Sequence, residues 1–251
     1  MLSLEGRVAL VTGGGRGIGR AISLLLARVG AKVAVNYRSN EGAANAAVES
    51  IRSAGGTAVA LAADVSRPEE AARLVGETEA RLGPLDVLVV NHGIWLRAPI
   101  DVMTPEQWDE MLRINLGGAY AVCHHAARTM IPRKRGAIVT IASTAGQRGE
   151  PYHSHYAASK GALLAFTKSL AAELAPHGIR VNCVSPGWVL TEMSRNALEG
   201  PGAADALAAI PLGRPGTPDE IAGPVAFLAS DLASYLYGEV LSVNGGAVMA
   251  E

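Results

Sequence analysis

The sequence predicts an α/β fold with a doubly wound parallel sheet of about seven strands and helices on both faces. Two observations predict it. Strand-like apolar runs alternate with helical patterns along the chain, which is the pattern of consecutive βαβ units. Several of these runs, such as Val87–Val90 and Ala137–Ile141, are apolar at nearly every position, as expected of parallel strands covered on both faces.

The predicted elements fill the chain in order. The first helix carries Ile18, Ile22 and Leu25 at the three- and four-residue spacing of an amphipathic helix. Strands are expected at 7–12, 32–37, 57–62, 86–90, 136–142, 179–185 and 240–243, and helices at 17–29, 41–54, 68–81, 105–130, 155–175 and 218–229.

Two helix starts have a specific signature. Thr104-Pro105 and Thr217-Pro218 combine a capping residue with a proline at the first helical position. Gln107 and Glu220 follow at the third position, where a side chain can complete a capping box. Both helices are therefore expected to begin at these prolines.

The chain is expected to form one domain, residues 1–251, since no linker, repeat or low-complexity segment divides it. The irregular stretch 188–218 is the exception in an otherwise regular pattern, with Pro201, Pro211 and Pro215 before Pro218. It follows the sixth strand, near the carboxyl ends of the sheet, where ligands bind in such folds. It is predicted to be a substrate-binding loop or lid; an ordinary surface loop is the alternative.

Composition excludes several classes of function. Of 251 residues, 49% are hydrophobic and 18% charged, and the net charge is −1, which favours a soluble globular protein and neither a nucleic acid nor an anionic membrane as partner. Cys123 and Cys183 lie in apolar surroundings and are expected to be free thiols in a reducing, cytoplasmic compartment. No signal segment, membrane span or metal-ligand spacing is recognisable in the sequence.

A glycine cluster follows the first strand, in the order Gly13-Gly14-Gly15-Arg16-Gly17-Ile18-Gly19. Glycines at a strand-to-helix turn let a pyrophosphate approach the backbone, and the helix N-terminus then faces its negative charge. The spacing differs from the common G-x-G-x-x-G fingerprint. The cluster predicts a dinucleotide-binding, Rossmann-type domain, with a plain tight βα turn as the alternative.

Tyr156 and Lys160 are four residues apart, on one face of the predicted helix. A lysine ammonium beside a phenol favours the phenolate, and a shift of about three pKa units would need about 4 kcal/mol. Such a phenol could donate a proton to a carbonyl oxygen or accept one from an alcohol. Alone, the pair could equally be a solvated lysine beside a half-buried tyrosine.

Together these motifs resemble the short-chain dehydrogenase/reductase family, and the likeness extends from Leu4 to Met249. Within the family the chain is similar to 3-oxoacyl-acyl-carrier-protein reductases and glucose dehydrogenases. The residues that carry the resemblance are Thr12-Gly13-x-x-x-Gly17-Ile18-Gly19, Asn91-x-Gly93, Asn115, Ser143, Tyr156-x-x-x-Lys160 and Pro186-Gly187.

The resemblance implies roles for four catalytic residues. Tyr156 would be the general acid of reduction and the base of oxidation, and Lys160 would depress its pKa and bind the nicotinamide ribose. Ser143 would hydrogen-bond the substrate oxygen. Asn115 would hold a water that relays protons from Lys160 to solvent.

The resemblance also implies the cofactor contacts. Tyr37 stands where NAD-selective members carry an acid, and Arg16, Arg38 and Ser39 could bind a 2′-phosphate, so NADP(H) is expected in preference to NAD(H); solvated arginines are the alternative. The remaining expected contacts are Gly13, Gly15, Gly17, Ile18, Gly19, Asp64, Val65, Asn91, Gly93, Tyr156, Lys160, Pro186, Gly187, Val189 and Thr191.

The segment before Tyr156 departs from the acyl-carrier reductases, since residues 149–155 are bulkier and more aromatic. A small or ring-bearing free carbonyl compound is therefore the expected substrate, with Trp95, Tyr152, His153 and Trp188 as pocket walls beside Ser143. His153 or His155 could be an additional acid–base group, although a polar wall is the simpler interpretation.

Three functions remain open from the sequence. The first is an NADPH-dependent carbonyl reductase that also runs as an alcohol dehydrogenase. The second is a 3-oxoacyl-acyl-carrier-protein reductase, for which the basic cluster Arg133–Arg135 could dock an acidic carrier. The third is a non-catalytic NADPH-binding scaffold or regulator. The resemblance further implies a homotetramer, with contacts from helices 105–130 and 155–175 and from Val240–Met249.

Overall fold

A computed structural model describes residues 2–249, which form a seven-stranded parallel sheet with helices on both faces. The strands are β1 (Val8–Val11), β2 (Lys32–Tyr37), β3 (Ala58–Ala62), β4 (Leu85–Val90), β5 (Gly136–Ile141), β6 (Ile179–Pro186) and β7 (Val240–Val243). Their spatial order is β3-β2-β1-β4-β5-β6-β7. The predicted fold class is confirmed; residues 1, 250 and 251 of the predicted domain lie outside the described part.

The helices cover the two faces in separate groups. They are α1 (Gly17–Arg28), α2 (Glu41–Ser53), α3 (Pro68–Leu82), α4 (Pro105–Leu112), α5 (Gly118–Met130), α6 (Thr144–Arg148), α7 (Ser154–Leu174), α8 (Arg195–Glu199), α9 (Ala203–Ala208) and α10 (Pro218–Ala229). One buried cluster joins α1, α2 and α10 to the sheet, and the other joins α3, α5 and α7 to its opposite face.

Alternation along the strands explains the two clusters. In β1, Ala9 and Val11 belong to the first cluster, while Val8 and Leu10 belong to the second. Successive side chains of a strand point to opposite faces, so a strand buried on both sides is apolar throughout. This confirms the interpretation of the continuous apolar runs.

Several helices differ from the predicted elements. The expected helix 105–130 is interrupted by a π-helical turn at Arg113–Gly117, and α6 lies in a segment for which no helix was predicted. The capping boxes at Thr104 and Thr217 are both present, with the side chains of Gln107 and Glu220 accepting from the capping residues' N–H groups.

The reversal of strand order between β1 and β4 opens a crevice at the carboxyl ends of the strands. Ligands bind at this point in open α/β sheets, because the loops on either side of the reversal diverge. Within residues 2–249, no helix combines the length and apolar character needed to cross a bilayer.

Candidate active site

A cleft of about 560 Å³ runs along the carboxyl ends of the strands. Loops after β1, β2, β3, β4, β5 and β6 all contribute to its walls. At one end is the glycine cluster, and at the other are Ser143, Tyr156 and Lys160. Because one continuous space connects them, a dinucleotide at the glycines can extend to the catalytic residues.

The glycine turn after β1 depends on missing side chains. Gly13 and Gly17 have φ angles of 61° and 49°, which glycine adopts at little cost. A Cβ on Gly19 would overlap the carbonyl oxygen of Gly13 and lie 2.5 Å from Nδ2 of Asn91. A Cβ on Gly15 would lie 3.0 Å from the backbone of Ala44. The turn therefore presents bare backbone, which fits the approach of a pyrophosphate.

Polar side chains from three strands hold the turn. Asn36 accepts a hydrogen bond from the Gly13 N–H at 3.3 Å and donates to the Ala63 carbonyl at 3.1 Å. Thr12 Oγ1 accepts from the Asn91 N–H at 2.9 Å, and Asn91 Nδ2 donates to the Gly13 carbonyl at 3.2 Å. The sequence analysis assigned no role to Asn36, although a buried amide in an otherwise apolar strand was the available signal.

The expected adenosine end lies beyond β2 and β3. Tyr37, Arg38, Ser39 and Arg16 border the cleft there, and both arginines are exposed. Their guanidinium groups are therefore accessible to an anion, as expected for recognition of a 2′-phosphate. The structure thus brings together the residues that the sequence predicted for this end.

Asp64 lies beside these residues with its carboxylate fixed by Ser66. Its Oδ1 accepts from the Ser66 N–H at 3.0 Å and from Oγ at 2.7 Å. Partial burial acts to raise the pKa of Asp64, but the Ser66 hydrogen bonds and the charges of Arg38 and Arg113 lower it overall. Asp64 is thus a fixed acceptor at the cleft, where Val65 also lines the wall.

Ser143 and Tyr156 form the chemical end of the cleft. Ser143 is the N-cap of α6, and its Oγ accepts from the Ala145 N–H at 3.1 Å. Tyr156 lies in the first turn of α7, close enough to the Ser143 side chain for that hydroxyl to lower its pKa. Two hydroxyl groups from different elements therefore converge on one point, as the predicted roles require.

Lys160 lies one turn after Tyr156, with Nζ 5.9 Å from the centre of the phenol ring. Nζ donates to the Ile141 carbonyl at 2.7 Å. Burial lowers the pKa of Lys160 to about 8. Burial also raises the pKa of Tyr156 to about 12, although the Ser143 hydrogen bond lowers it. This direction is opposite to the expected lowering of the Tyr156 pKa, because desolvation and the charge of Glu150 outweigh the contribution of Ser143.

Asn115 lies in the π-helical turn and is fixed at both ends of its amide. Oδ1 accepts from the Ile94 N–H at 2.8 Å, and Nδ2 donates to the Ile94 carbonyl at 3.0 Å and to Ser159 Oγ at 3.1 Å. Gly93 lies between this amide and Lys160. Asn115 therefore positions the wall after β4, and its part in a proton relay stays a prediction.

His92 is a structural residue that the sequence analysis did not recognise. Nδ1 lies 2.9 Å from Thr12 Oγ1 and Nε2 lies 3.2 Å from the Ile114 carbonyl in the π-helical turn. Burial lowers the pKa of His92 to about 4, with Lys160 contributing in the same direction. The ring is neutral at pH 7, and Nε2 carries the hydrogen because a carbonyl can only accept.

The residues predicted to form the substrate walls divide into two groups. Trp95 and Trp188 line the cleft and meet edge to face, with ring centres 5.8 Å apart. Tyr152 and His153 do not line it. Tyr152 is 58% exposed and packs against Arg97, with φ of 64° turning it outward. His153 stacks behind Trp95, with ring centres 4.6 Å apart.

The first part of the predicted lid runs along the cleft. Pro186, Gly187, Trp188, Val189 and Thr191 all line it. Thr191 lies beside Gly17, so this loop reaches the glycine turn. The segment contains the short helices α8 and α9, which were not predicted from the sequence. Closure of this loop stays a prediction.

Comparisons with known proteins agree with this architecture. A family model described as enoyl-(acyl carrier protein) reductase matches residues 13–248. The chain is 40% identical to a 3-oxoacyl-[acyl-carrier-protein] reductase from Synechocystis sp., over 99% of this chain and 100% of that protein. It is 45% identical to an acetoacetyl-CoA reductase from Shinella zoogloeoides, over 96% and 98% of the two chains.

The fold is also similar to that of a solved structure. A gluconate 5-dehydrogenase from Burkholderia cenocepacia J2315, in complex with NADP and tartrate, superimposes with a TM-score of 0.94 at 38% identity, covering 100% of this chain and 98% of that one. The chain therefore belongs to the short-chain dehydrogenase/reductase family. It is an NAD(P)-dependent oxidoreductase acting on hydroxyl and keto groups.

Proposed function

We propose that the protein is an NADPH-dependent reductase of small free ketones, reversible as a secondary-alcohol dehydrogenase. The observation that carries the proposal is the placement of the Ser143 and Tyr156 hydroxyl groups close together at the end of a cleft that begins at the glycine turn. A carbonyl oxygen placed between the two hydroxyl groups would accept a hydrogen bond from Ser143 and a proton from Tyr156. This is the geometry of general acid catalysis.

NADP(H) is the cofactor of this proposal. The bare backbone at Gly13 and Gly19 fits a pyrophosphate, and the exposed Arg16 and Arg38 fit a 2′-phosphate. The Burkholderia cenocepacia structure, which contains NADP, supports the assignment. When bound, the nicotinamide supplies or accepts the hydride, and the protein supplies orientation and the proton.

The protonation states of Tyr156 and Lys160 are consistent with proton donation by the protein. With its pKa raised to about 12, Tyr156 is a fully protonated phenol at pH 7 and can donate its proton during reduction. Ser143 donates to the same substrate oxygen as negative charge develops there. With a pKa lowered to about 8, Lys160 is still mainly cationic at pH 7, and its charge stabilises the phenolate that remains.

Removing the Tyr156 hydroxyl tests the catalytic assignment. In Tyr156→Phe we expect NADPH oxidation with ketones to fall by about 10²–10⁴, with most of the NADPH affinity retained, since the glycine turn, Arg16 and Arg38 are unchanged. Tyr152→Phe is the matched control, because Tyr152 is exposed and outside the cleft. Unchanged turnover in Tyr156→Phe would contradict the mechanism and revive a non-catalytic role.

Reduction of carrier-bound 3-oxoacyl chains is the second candidate, favoured by the identity to the Synechocystis enzyme. The basic cluster Arg133–Arg135 gives it little support. Arg133 and Arg135 contact Asp86 Oδ1 at 3.3 and 3.4 Å. The cluster precedes β5 and so lies at the amino ends of the strands, on the opposite side of the sheet from the cleft at their carboxyl ends. Higher kcat/KM for carrier-bound or CoA thioesters than for every free ketone would select this candidate.

We also propose that the chain works as a homotetramer in the cytoplasm. Strand β7 is an edge strand of partly exposed residues, and Tyr120 on α5 is 54% exposed, so both could pack against other subunits. The free thiols of Cys123 and Cys183 suit a reducing compartment. Light scattering tests the assembly, and the mass of a single chain would contradict it.

A further inference from the structure

The substrate end of the cleft contains a carboxylate with no role in the mechanism above. Glu150 lies in the loop after α6 and lines the cleft. Its side chain is 22% exposed. It is close enough to Tyr156 for its negative charge to contribute to raising the phenol's pKa. A partly buried carboxylate beside the reacting carbonyl is a feature that a purely apolar ketone would not need.

Neighbouring side chains hold this carboxylate in place. Oε2 accepts a hydrogen bond from the Trp95 indole Nε1 at 3.3 Å. Oε1 lies 3.6 Å from His153 Nδ1, which itself contacts the Pro151 carbonyl at 3.0 Å. His153 in turn stacks on Trp95. Glu150 and Trp95 are therefore fixed relative to each other, and a carboxylate with two oxygens retains free acceptor positions.

Opposing effects act on the charge of Glu150. Burial raises its pKa, while His153, the Trp95 hydrogen bond and Arg148 act in the opposite direction. Arg148 also borders the cleft. A substrate cation at Glu150 would lie close to this arginine, and a substrate anion would lie against the carboxylate. A neutral group that donates a hydrogen bond avoids both repulsions.

We propose that Glu150 and Trp95 form a hydroxyl-binding subsite, and that the substrate is an uncharged hydroxyketone whose hydroxyl group lies next to the reacting carbonyl. The inference rests on the proposed ketone reduction. Glu150 accepts the hydroxyl hydrogen, and the rings of Trp95 and Trp188 cover the carbon chain. Aromatic walls with one fixed polar group are the usual composition of a small-molecule site.

A matched series of small ketones tests this specificity. Hydroxyacetone, butanone and pyruvate share a methyl ketone and differ in the adjacent group, which is a hydroxymethyl, an ethyl or a carboxylate. We expect the wild type to reduce hydroxyacetone with kcat/KM at least about tenfold above the other two, since a substrate group that fills a buried hydrogen-bonding site discriminates strongly. Equal values for hydroxyacetone and butanone would overturn the subsite.

Two variants assign the preference to Glu150. Glu150→Leu removes the acceptor at similar size, so the ratio of hydroxyacetone to butanone should fall towards one, chiefly through the KM of hydroxyacetone. Glu150→Gln keeps one acceptor and should give an intermediate ratio. Tyr152→Phe, altered in the same loop but outside the cleft, should keep the wild-type ratio. An unchanged ratio in Glu150→Leu would overturn the inference and leave ketone reduction intact.

Binding to the NADP⁺ complex gives a readout that does not depend on turnover. In a Trp108→Phe background, the remaining indoles are Trp95 and Trp188, so fluorescence reports on this end of the cleft. Hydroxyacetone should quench it at lower concentration than butanone, and Glu150→Leu should abolish the difference. If no ketone is reduced but this difference persists, the proposed reaction fails while the subsite stands; an aminoketone that binds more tightly than hydroxyacetone contradicts the hydroxyl assignment.

Discussion

The glycine turn after β1 and the aromatic wall around Trp95 lie in one cleft, but they are made from different parts of the chain. At the glycine turn, backbone atoms form the surface, and Gly13 and Gly19 contribute by having no side chain. At the aromatic wall, the indoles of Trp95 and Trp188 and the carboxylate of Glu150 form the surface. The first surface suits a ligand with a fixed shape, and the second suits a ligand that differs between relatives.

This difference explains what each end tolerates. A backbone surface cannot be altered without moving the turn, so substitutions there should be severe and independent of substrate. A side-chain surface can be changed one group at a time, so substitutions there should change specificity more than overall activity. Substitutions at the two ends should therefore differ in severity and in their dependence on the substrate.

Filling the glycine turn should strongly weaken cofactor binding. In Gly19→Ala the new Cβ meets the Gly13 carbonyl and the Asn91 amide, and we expect a cost of about 3 kcal/mol, or roughly 100-fold in NADPH affinity. Gly76→Ala on α3 is the control, because a Cβ there meets nothing within 4 Å and alanine favours the helix. Titration of both variants with NADPH measures the effect. Tight NADPH binding by Gly19→Ala would show that the backbone surface tolerates substitution after all.

Removing a charge from the adenosine end should change cofactor selectivity without changing the substrate. In Arg38→Ala we expect NADPH affinity to fall about 10–100-fold and NADH affinity to stay the same, because one charge-assisted hydrogen bond is worth about 1.5–3 kcal/mol. Arg81→Ala, on the last turn of α3 and away from the cleft, is the control. An equal loss of affinity for NADPH and NADH would mean that Arg38 does not recognise the 2′-phosphate.

Replacing the buried cation should stabilise the protein while it inactivates it. Burial lowers the pKa of Lys160 from 10.5 to about 8. At pH 7 the desolvation of this charge therefore destabilises the folded state by about 3 kcal/mol relative to the unfolded state. Loss of the hydrogen bond to Ile141 offsets about 1 kcal/mol. Lys160→Met should therefore unfold at higher urea concentration at pH 7, by about 2 kcal/mol.

The pH dependence of this effect has a definite sign. Below pH 8 both states of the wild type carry the Lys160 charge, and between about 8 and 10.5 the folded state loses it first. Wild-type stability relative to Lys160→Met should therefore rise with pH through that window. A variant that is less stable than the wild type at pH 7 would show that Lys160 is not held against a desolvation cost.

The smallest expected effect is a coupling between His92 and Gly118. A Cβ on Gly118 would lie 2.6 Å from Nε2 of His92, so Gly118→Ala should destabilise the fold by about 1–3 kcal/mol. His92→Ala should cost a similar amount, since the Ile114 carbonyl loses its donor. In the double variant the clash is absent. Its loss of unfolding free energy, measured by urea unfolding, should be about 1 kcal/mol smaller than the sum of the two single losses.

Much of this molecule could be predicted from its sequence because local signals and the fold agreed. The apolar runs, the glycine turn and the capping boxes each depend on residues close together in the chain. Ser143, Tyr156 and Lys160 were found through a family resemblance, and the structure brings all three to one end of the cleft. Ser143 follows the end of β5, and Tyr156 and Lys160 lie one turn apart on α7, a spacing that the sequence shows directly.

Other features depend on contacts that a sequence does not display. The π-helical turn at Arg113–Gly117 lies within a continuous helical pattern, and α6 has only five residues, too few for periodicity to appear. Glu150 lies in an irregular loop, so its contact with Trp95 arises from folding alone. The pKa of Tyr156 was predicted in the wrong direction because burial, unlike spacing, cannot be read from Tyr-x-x-x-Lys.

The contact between His92 and Gly118 also limits how this chain could change over time. An alanine at position 118 is expected to be harmful while the imidazole is present and tolerable once it is gone, because the ring occupies the space of the new methyl group. The two positions therefore form an epistatic pair in which the order of substitution matters. Any lineage that reaches a side chain at 118 is expected to have lost His92 first.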